Sequence, residues 1–347
     1  MDKQINPFTF ILAALIALGA ILSASVLLPH DRYYRFQAHN DVTTRKADWI
    51  YERLHFDETP IDVALVGTSR MAGGLSAPLI EQRYCEATGR KIHVANLAIP
   101  VTGRNMHYVI AKEAAKTKSP ALFVIELNEV ESRRPHPGFI FLADAQDVLA
   151  APFAINLNFL SDLARLPGRQ AALFYETVTG AGAVRAEFDP AAYRGAHFDL
   201  TETIFSIDGR IQSRRVVRTP EALEAMRLER AKGVSPLYML PEPLRALEYR
   251  FPKSYLNKTN TAAQSAGGEI AYVYMPAYGA ANIPTTLLKE LEIDEPVIDL
   301  GGAPALDPSK WYDVTHFNAD GAVEASERFA RALAKTKPEL GEPESCS

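Results

Sequence analysis

The chain has 347 residues, 47% hydrophobic and 23% charged, so it is long enough to bury a full core in one large domain or two modest ones. Its formal net charge of −5 excludes the basic surface that is typical of nucleic-acid-binding proteins. Cys85 and Cys346 are too few for a disulfide framework and lack metal-site spacing, so cysteine usage leaves the redox compartment open.

The first predicted element is an apolar helix. Residues 7–28 carry no charge, and about 20 helical residues cross the roughly 30 Å hydrocarbon core of a bilayer. A cleaved signal peptide has a shorter apolar region, about 7–15 residues, and a small-residue cleavage site, which SASVLLPHD matches poorly. We therefore predict an uncleaved membrane anchor over residues 1–30, with a cleaved signal or a buried helix as alternatives. Lys3 favours an amino terminus on the cytoplasmic side of the cell inner membrane. The globular part then lies on the other side, which is the periplasm in a bacterial envelope.

A polar juxtamembrane segment, residues 31–58, follows the anchor. We predict a linker that ends in a short helix, because Trp49, Ile50 and Leu54 have helical spacing. Beyond this segment, short apolar runs alternate with helical patterns. Continuous apolar runs that are rich in valine and isoleucine are typical of strands covered on both faces. The five predicted strands are residues 61–67, 92–98, 121–127, 270–275 and 296–300.

Helical patterns lie between the predicted strands. After the first strand, Ser76 is a predicted N-cap and Gly89 a predicted C-cap. Pro252 is a candidate break in the helix before the fourth strand. The alternation predicts a parallel five-stranded sheet with right-handed crossovers, in a flavodoxin-like three-layer α/β/α sandwich over residues 59–335. The other predicted helices are residues 104–118, 243–268 and 319–335.

The third and fourth predicted strands are separated by far more chain than one crossover needs. Residues 131–240 contain aromatics, prolines and arginines, with about as many acidic residues, and Asp208-Gly209 predicts a hairpin turn. We predict that this insertion caps the carboxyl ends of the strands and supplies substrate specificity. The polar residues 336–347 are predicted to form a disordered tail.

A candidate catalytic triad comes from three positions next to predicted strands. Ser69 follows the first strand, where open α/β sheets carry their chemistry, although a serine in an ordinary turn is the alternative. Asp313 and His316 follow the fifth strand. A nucleophilic hydroxyl needs a base, and that base needs an acceptor to fix its tautomer. We therefore predict that the three side chains converge; the alternatives are a packed core histidine and an aspartate that caps the last helix.

Two motifs resemble those of the SGNH or GDSL hydrolases. Gly67-Thr68-Ser69 is similar to the family's Gly-Asp-Ser block, with threonine in place of the aspartate, and DVTHFNADG over residues 313–321 is similar to its Asp-x-x-His block. The resemblance covers roughly residues 60–130 and 265–335. It implies that Ser69 is the nucleophile, with the histidine of the second motif as base and its aspartate as acid.

The middle blocks of that family supply the oxyanion hole. The resemblance implies that the backbone N–H of Gly103 and the side chain of Asn128 are its donors. Counting from the strand leaves Val101 or Thr102 as alternatives to Gly103. The segment ELNEV around Asn128 lacks the family's usual glycine.

The resemblance and the anchor together imply a membrane-anchored serine esterase or O-acyltransferase. The chain looks like membrane-tethered SGNH proteins that O-acetylate exopolysaccharides beside a membrane-bound O-acyltransferase, which is therefore a candidate partner. The expected activity is O-acetyltransfer to, or acetyl-ester hydrolysis of, a cell-surface or exported polysaccharide. A lipase-like or small-ester hydrolase and a catalytically inactive assembly subunit are the alternatives.

No cofactor is predicted, and neither is a metal site. The alternative is a metal site formed by Asp313, His316 and a third ligand such as His107, but the spacing of these residues matches no known metal-binding motif. Arg70, next to the candidate nucleophile, is predicted to form a surface ion pair rather than to bind an anionic group.

Overall fold

The computed structural model describes residues 7–38, 43–129, 131, 133–181, 185, 187–205, 210–232, 240–241, 244–343 and 346. Its helices are α1 (Pro7–Val26), α2 (Arg32–Gln37), α3 (Ala47–His55), α4 (Ser69–Gly74), α5 (Ala77–Thr88), α6 (Arg104–Thr117), α7 (Phe139–Leu142), α8 (Ala145–Leu149), α9 (Phe159–Thr179), α10 (Pro220–Lys232), α11 (Arg245–Ser265), α12 (Thr285–Leu291), α13 (Ala303–Leu306) and α14 (Ala319–Thr336). Its strands are β1 (Val63–Val66), β2 (Arg90–Lys91), β3 (Val94–Asn96), β4 (Leu122–Leu127), β5 (Thr203–Phe205), β6 (Ile211–Ser213), β7 (Glu269–Tyr274), β8 (Val297–Asp299) and β9 (Glu342–Pro343).

Five of these strands form the central sheet. Their order is β3-β1-β4-β7-β8, and every neighbouring pair is parallel. In the first strand, Val63 pairs with Val94 on one side and with Leu122 on the other. The predicted five-stranded parallel sheet is confirmed, and each of its strands coincides with a predicted apolar run to within a few residues.

Both faces of the sheet are covered, which explains why its strands are mostly apolar. Ala64 and Val66 belong to a core that also contains side chains of α3, α6 and α11. Val63 and Leu65 point to the opposite face and join a core that is built with α5 and α14. Because successive side chains of a strand alternate between faces, burial on both sides favours a nearly continuous apolar run.

The predicted helix signals are mostly confirmed. Helix α5 starts after Ser76 and ends at Gly89, whose φ of 67° is the left-handed conformation of a helix C-cap. Pro252 does not break α11, which continues through it. The buried residues Phe251 and Tyr255 flank the proline, and α11 packs against α6, so tertiary packing outweighs the one backbone hydrogen bond that proline removes.

Residues 31–58 are part of the core rather than a linker. The predicted short helix is present as α3, but Tyr33 and Phe36 of the preceding α2 and Trp49 of α3 are each at most 2% exposed. The side chain of Arg53, also buried, donates to two backbone carbonyls in the segment that leads into β1. The polar composition hid this packing because buried aromatics and charged groups are interleaved there.

The carboxyl-terminal segment is not a free tail. Glu342–Pro343 pairs antiparallel with Arg90–Lys91, and Cys346 forms a disulfide with Cys85. The hydroxyl of Tyr84 donates to the carbonyl of Lys337 at 2.6 Å. Side chains of α5 and β2 thus satisfy backbone groups of a segment whose own composition is typical of disorder. The two cysteines, too few for a disulfide framework, nevertheless form one disulfide bond.

Helix α1 is the one helix in the described part of the chain that is long and apolar enough to cross a membrane. Its 20 residues span about 30 Å, and its side chains are almost all exposed. At its end, the side chain of Gln170 in α9 donates to the carbonyl of Val26. The predicted turn at Asp208-Gly209 lies outside the described residues, but the flanking strands β5 and β6 pair antiparallel, as a hairpin requires.

Candidate active site

The corner after β1 presents Ser69 at the start of the short helix α4. A Cβ atom added to Gly67 would lie 2.4 Å from a carboxylate oxygen of Glu126, so only glycine fits at this point. Thr68 is the N-cap of α4, and its hydroxyl oxygen accepts a hydrogen bond from the N–H of Arg70 at 3.2 Å. The small and polar residues of this corner are therefore dictated by close contacts with the neighbouring strand.

The carboxylate of Glu126 holds this corner in place. Glu126 lies in β4 and is fully buried, and it accepts hydrogen bonds from the N–H of Thr68 at 2.6 Å and from the hydroxyl of Thr68 at 2.7 Å. A third bond comes from the N–H of Met71 at 3.3 Å. Glu126 is not among the residues predicted for the site, although a single acidic residue inside the apolar run ALFVIEL is a signal that could have identified it.

The backbone N–H groups at the start of α4 donate hydrogen bonds to the side chains of Glu126 and Thr68, with one exception. The N–H groups of Thr68, Arg70 and Met71 all have acceptors at this corner. The N–H of Ser69 makes no hydrogen bond within the described residues, since the start of a helix offers it no carbonyl. A free donor therefore lies on the same residue as the candidate nucleophile.

Ser69, His316 and Asp313 form a continuous hydrogen-bonded chain. The Nε2 atom of His316 lies 2.8 Å from the Oγ atom of Ser69. The Nδ1 atom of His316 lies 2.9 Å and 3.0 Å from the two carboxylate oxygens of Asp313. Because a carboxylate only accepts, Nδ1 carries the proton in the neutral ring, which leaves Nε2 to accept the serine hydroxyl. The structure therefore brings these three side chains together, as the sequence predicted.

Asp313 is fixed and charged by its own loop. Its Oδ1 atom accepts hydrogen bonds from the N–H of Thr315 at 2.7 Å, from the hydroxyl of Thr315 at 3.0 Å and from the N–H of His316 at 3.0 Å. Burial raises the pKa of Asp313, but the hydrogen bonds and charge of His316 and the bonds from Thr315 outweigh it and hold the pKa well below its ordinary value. The aspartate is therefore ionised wherever it is needed to stabilise a protonated imidazole.

Ser69 and His316 open into a cavity of about 360 Å³. Its walls come from the α4 corner, from the loop before α6, from the segment before α3 and from the insertion. The insertion therefore lies next to Ser69, as predicted. A cavity with apolar walls and a few polar or charged groups is typical of a small-molecule ligand site. The lining residues are Arg45, Lys46, Thr68, Ser69, Arg70, Ala72, Gly73, Pro100, Val101, Thr102, Phe198, Leu200, Thr203, Ile204, Arg214, Arg230, Thr315 and His316.

In the loop before α6, the residues that line the cavity at Ser69 lie one or two positions before Gly103, the predicted backbone donor. Val101 and Thr102 line the cavity at Ser69, whereas Gly103 lines a smaller neighbouring cavity. A Cβ atom on Gly103 would lie 2.3 Å from the backbone nitrogen of His136, so packing against that segment explains the glycine. The alternatives Val101 and Thr102 are thus better placed than Gly103.

Val101 has a strained backbone. Its φ of 74° lies in the left-handed region, which a β-branched residue rarely adopts. The preceding carbonyl, that of Pro100, lies 2.7 Å from the Nε2 atom of His136. Because the Nδ1 atom of His136 accepts the N–H of Gly138, Nε2 is the donor to that carbonyl. The loop is therefore held from behind, in the way that strained backbone at functional sites is usually maintained.

Asn128 lies at the border between the two cavities. It follows directly on β4, is 6% exposed and lines the smaller cavity together with Thr68 and Thr102, both of which also line the cavity at Ser69. This position near the α4 corner agrees with the expected place of Asn128 but does not bring it into the wall of the larger cavity.

Arg70 and His107 have structural partners. Arg70 forms a two-bond ion pair with Glu129, at 2.6 Å and 2.8 Å, so the predicted pairing is confirmed, but in a buried setting rather than on the surface. His107 lines the smaller cavity beside Arg104. Burial and the charge of Arg104 hold the pKa of His107 well below its ordinary value. His107 does not line the larger cavity, into which Ser69 and His316 open.

The sequence matches no protein-family model, and no curated protein matches it either. The function of the protein is therefore inferred from the geometry of the site. Within that geometry, the hydrogen-bonded chain from aspartate through histidine to serine is the arrangement with a defined chemical use.

Proposed function

We propose that the protein is a serine acyl-transfer enzyme whose nucleophile is Ser69. The observation that carries this proposal is the chain of short hydrogen bonds from Asp313 through His316 to Ser69. In the first step, the Oγ atom of Ser69 bonds to an ester carbonyl carbon while its proton moves to Nε2 of His316. The imidazolium, stabilised by Asp313, then gives that proton to the departing alkoxide, and an acyl-serine remains.

The second step decides between hydrolysis and transfer. The oxygen of water or of an acceptor alcohol bonds to the acyl carbon while its proton moves to Nε2 of His316. The bond between the acyl carbon and Oγ of Ser69 then breaks as His316 returns the proton to Oγ. With water the protein is an esterase, and with an acceptor alcohol it is a transferase. The oxyanion of each tetrahedral intermediate needs donors, and the free N–H of Ser69 with backbone N–H groups of Val101 and Thr102 are proposed for this role, with Asn128 next to them. One such donor typically contributes about 3–4 kcal/mol to lowering the barrier.

The proposed fold family and location draw on several features. The strand order β3-β1-β4-β7-β8 is second-first-third-fourth-fifth along the chain, which is the flavodoxin-like order. Together with the motifs at Ser69 and at residues 313–321, it supports membership of the SGNH hydrolases. The apolar helix α1 and the disulfide between Cys85 and Cys346 support a membrane-anchored protein whose catalytic part lies in an oxidising, extracytoplasmic compartment.

The proposed substrate is a cell-surface or exported polysaccharide, with O-acetyl transfer or removal as the reaction. The insertion supports this because Phe198 provides an aromatic wall and threonine and arginine side chains provide hydrogen-bonding groups in the cavity at Ser69. A membrane-bound O-acyltransferase is the proposed source of acyl groups if the direction is transfer. The apolar side chains of Leu200 and Ile204 favour a small-ester hydrolase as the second candidate.

Active-site labelling tests the proposal. The full-length chain in detergent is treated with a fluorophosphonate probe, and mass spectrometry locates the adduct. We expect labelling of Ser69, no labelling of Ser69→Ala and strongly reduced labelling of His316→Ala. The matched control is Ser161→Ala, which removes an exposed serine of α9 and leaves labelling unchanged. Absence of an adduct, or an adduct that survives Ser69→Ala, contradicts the proposal.

A second experiment separates the two candidate functions. Acetate release is measured from an acetylated oligosaccharide and from 4-nitrophenyl esters with acyl chains of two to eight carbons. A polysaccharide enzyme acts on the oligosaccharide and on the two-carbon ester, whereas a lipase-like hydrolase prefers the longer chains and ignores the oligosaccharide.

A further inference from the structure

The cavity at Ser69 is strongly cationic, although the chain as a whole is acidic. Five of its lining side chains are arginine or lysine, and no aspartate or glutamate lines it within the described residues. The formal net charge of the whole chain is −5, so this concentration of positive charge is local. Such a cavity attracts anions and raises their local concentration. The five cationic residues are Arg45, Lys46, Arg70, Arg214 and Arg230.

Two of these cations have clear structural duties. Arg70 is neutralised by Glu129 in a two-bond ion pair. Arg214 donates to backbone carbonyls, including that of Phe317 at 3.0 Å, and its guanidinium lies where a Cβ atom on Gly73 would be. Arg214 therefore ties the insertion to the loop that carries His316, although backbone carbonyls do not cancel its charge.

Lys46 is different because no carboxylate of the described residues pairs with its charge. It is 1% exposed, and its Nζ atom donates to the carbonyl of Asn96 at 2.5 Å and lies 4.9 Å from the ring of Trp49. No carboxylate of the described residues lies within ion-pair distance of this ammonium. Burial lowers the pKa of Lys46 to about 7, and the charge of Asp199 offsets this only in part. A buried cation without a counter-ion is costly, so a cavity that contains one is a candidate site for an anionic ligand.

Arg230 adds a second cation with spare donors. It projects from α10 of the insertion, lines the cavity and forms no ion pair within the part of the chain that the structure describes. Its planar guanidinium can hold two oxygens of one anionic group, whereas the ammonium of Lys46 acts as a point charge. The ring of Phe198 lines the same cavity, with its centroid 5.8 Å from the Nζ atom of Lys46, and offers an apolar face for a sugar ring.

We infer that the saccharide bound in this cavity is acidic and that Lys46 and Arg230 recognise its anionic oxygen group, a carboxylate or a sulfate. This inference rests on the proposed function, because it names the substrate class of the same site. The ligand supplies the counter-ion that the fold withholds from Lys46, and a neutral saccharide cannot do so. Recognition of charge next to Ser69 then positions an ester of the same sugar chain for attack.

Binding measurements on Ser69→Ala test the inference without turnover. Isothermal titration calorimetry on the full-length variant in detergent compares tetragalacturonate, a sulfated tetrasaccharide and neutral maltotetraose. We expect at least one acidic probe to bind at least about tenfold more tightly than maltotetraose, since charge-assisted hydrogen bonds are about twice as strong as neutral ones. Whichever acidic probe binds more tightly identifies the oxygen group.

Charge-removing variants in the same background locate the contacts. Lys46→Met and Arg230→Met should each weaken the acidic probe about tenfold or more, which is the loss expected for one charge-assisted contact. Arg215→Met is the matched control, because Arg215 lies in the same insertion but is exposed and pairs with Glu202. It should leave binding unchanged. If Lys46→Met misfolds, Arg230→Met still decides, because α10 is largely exposed.

The outcomes separate this inference from the proposed function. Equal binding of acidic and neutral probes, or unchanged binding in Arg230→Met and Lys46→Met, overturns the inference while fluorophosphonate labelling of Ser69 still supports acyl transfer. Tight binding of an acidic probe to a protein whose Ser69 does not react with the fluorophosphonate supports the inference and overturns the enzymatic proposal instead.

Discussion

Replacing Glu126 with glutamine tests how the backbone next to Ser69, the proposed nucleophile, is held in place. The buried carboxylate accepts two short hydrogen bonds from Thr68, at 2.6 Å and 2.7 Å, and a longer one from Met71. Glutamine keeps the size of the side chain but removes its charge and turns one acceptor oxygen into a donor. The variant therefore isolates the electrostatic hold on the α4 corner from its packing.

The expected magnitude follows from the two short bonds. A hydrogen bond to a charged group contributes about 1.5–3 kcal/mol, and a neutral one about 0.5–1.5 kcal/mol. Neutralising Glu126 therefore removes roughly 1–1.5 kcal/mol from each bond, or about 2–3 kcal/mol in the free energy of unfolding. Because the bonds fix the residue next to Ser69, we also expect fluorophosphonate labelling at least about tenfold slower, since small misplacements of reacting groups cost large factors in rate.

The assay combines urea unfolding with the rate of fluorophosphonate labelling, both on the full-length chain in detergent. Thr68→Ser is the matched control, because it keeps the hydroxyl that donates to Glu126 and should retain both the stability and the labelling rate. Thr68→Val removes the hydroxyl and should resemble Glu126→Gln. A Glu126→Gln protein with unchanged stability and an unchanged labelling rate would refute the view that this carboxylate positions the nucleophile.

Three further predictions concern strain, buried charge and the disulfide. Val101→Gly should leave the free energy of unfolding unchanged or raise it by up to about 1 kcal/mol in urea unfolding, because relief of about 1–3 kcal/mol of left-handed strain offsets the extra flexibility of glycine. Between pH 7.5 and 9.5, the free energy of unfolding of the wild type should rise relative to that of Lys46→Met by about 1.4 kcal/mol per pH unit. In this range Lys46 is deprotonated in the folded protein, where its pKa is about 7, but still protonated in the unfolded chain, so a rising pH destabilises only the unfolded state. Urea titrations across that pH range measure this slope. Cys346→Ser should lower the free energy of unfolding by about 2–4 kcal/mol, since the bond to Cys85 closes a loop with a sequence separation of 261.

Each of these has a contrary result. A loss of more than about 1 kcal/mol in Val101→Gly contradicts a strained valine. Parallel pH profiles for the wild type and Lys46→Met contradict a lysine that loses its proton on folding. Alkylation of both cysteines in the native, unreduced protein contradicts the disulfide.

Local sequence determined the framework of the fold. Apolar runs and helix caps such as Gly89 depend on residues that are close together in the chain, so the strands of the central sheet and the helices α5, α6 and α14 could be read directly. The triad could be predicted as well, because parallel strands bring their carboxyl ends to one edge of a sheet. Ser69 and the Asp313–His316 pair therefore needed only the correct order along the chain.

Tertiary structure decided how that framework is held and charged. Glu126 meets Thr68 across a sequence separation of 58, and Lys46 reaches the cavity from a segment that looked like a linker. The carboxyl-terminal residues are likewise bound by groups that lie far away in the chain. The composition of one segment cannot reveal which distant carboxylate, carbonyl or thiol will meet it, because those contacts depend on the packing of the whole molecule. The sequence by itself thus determined the strands, the main helices and the three residues of the candidate triad. Only the folded chain decided which groups position those residues and which charges surround them.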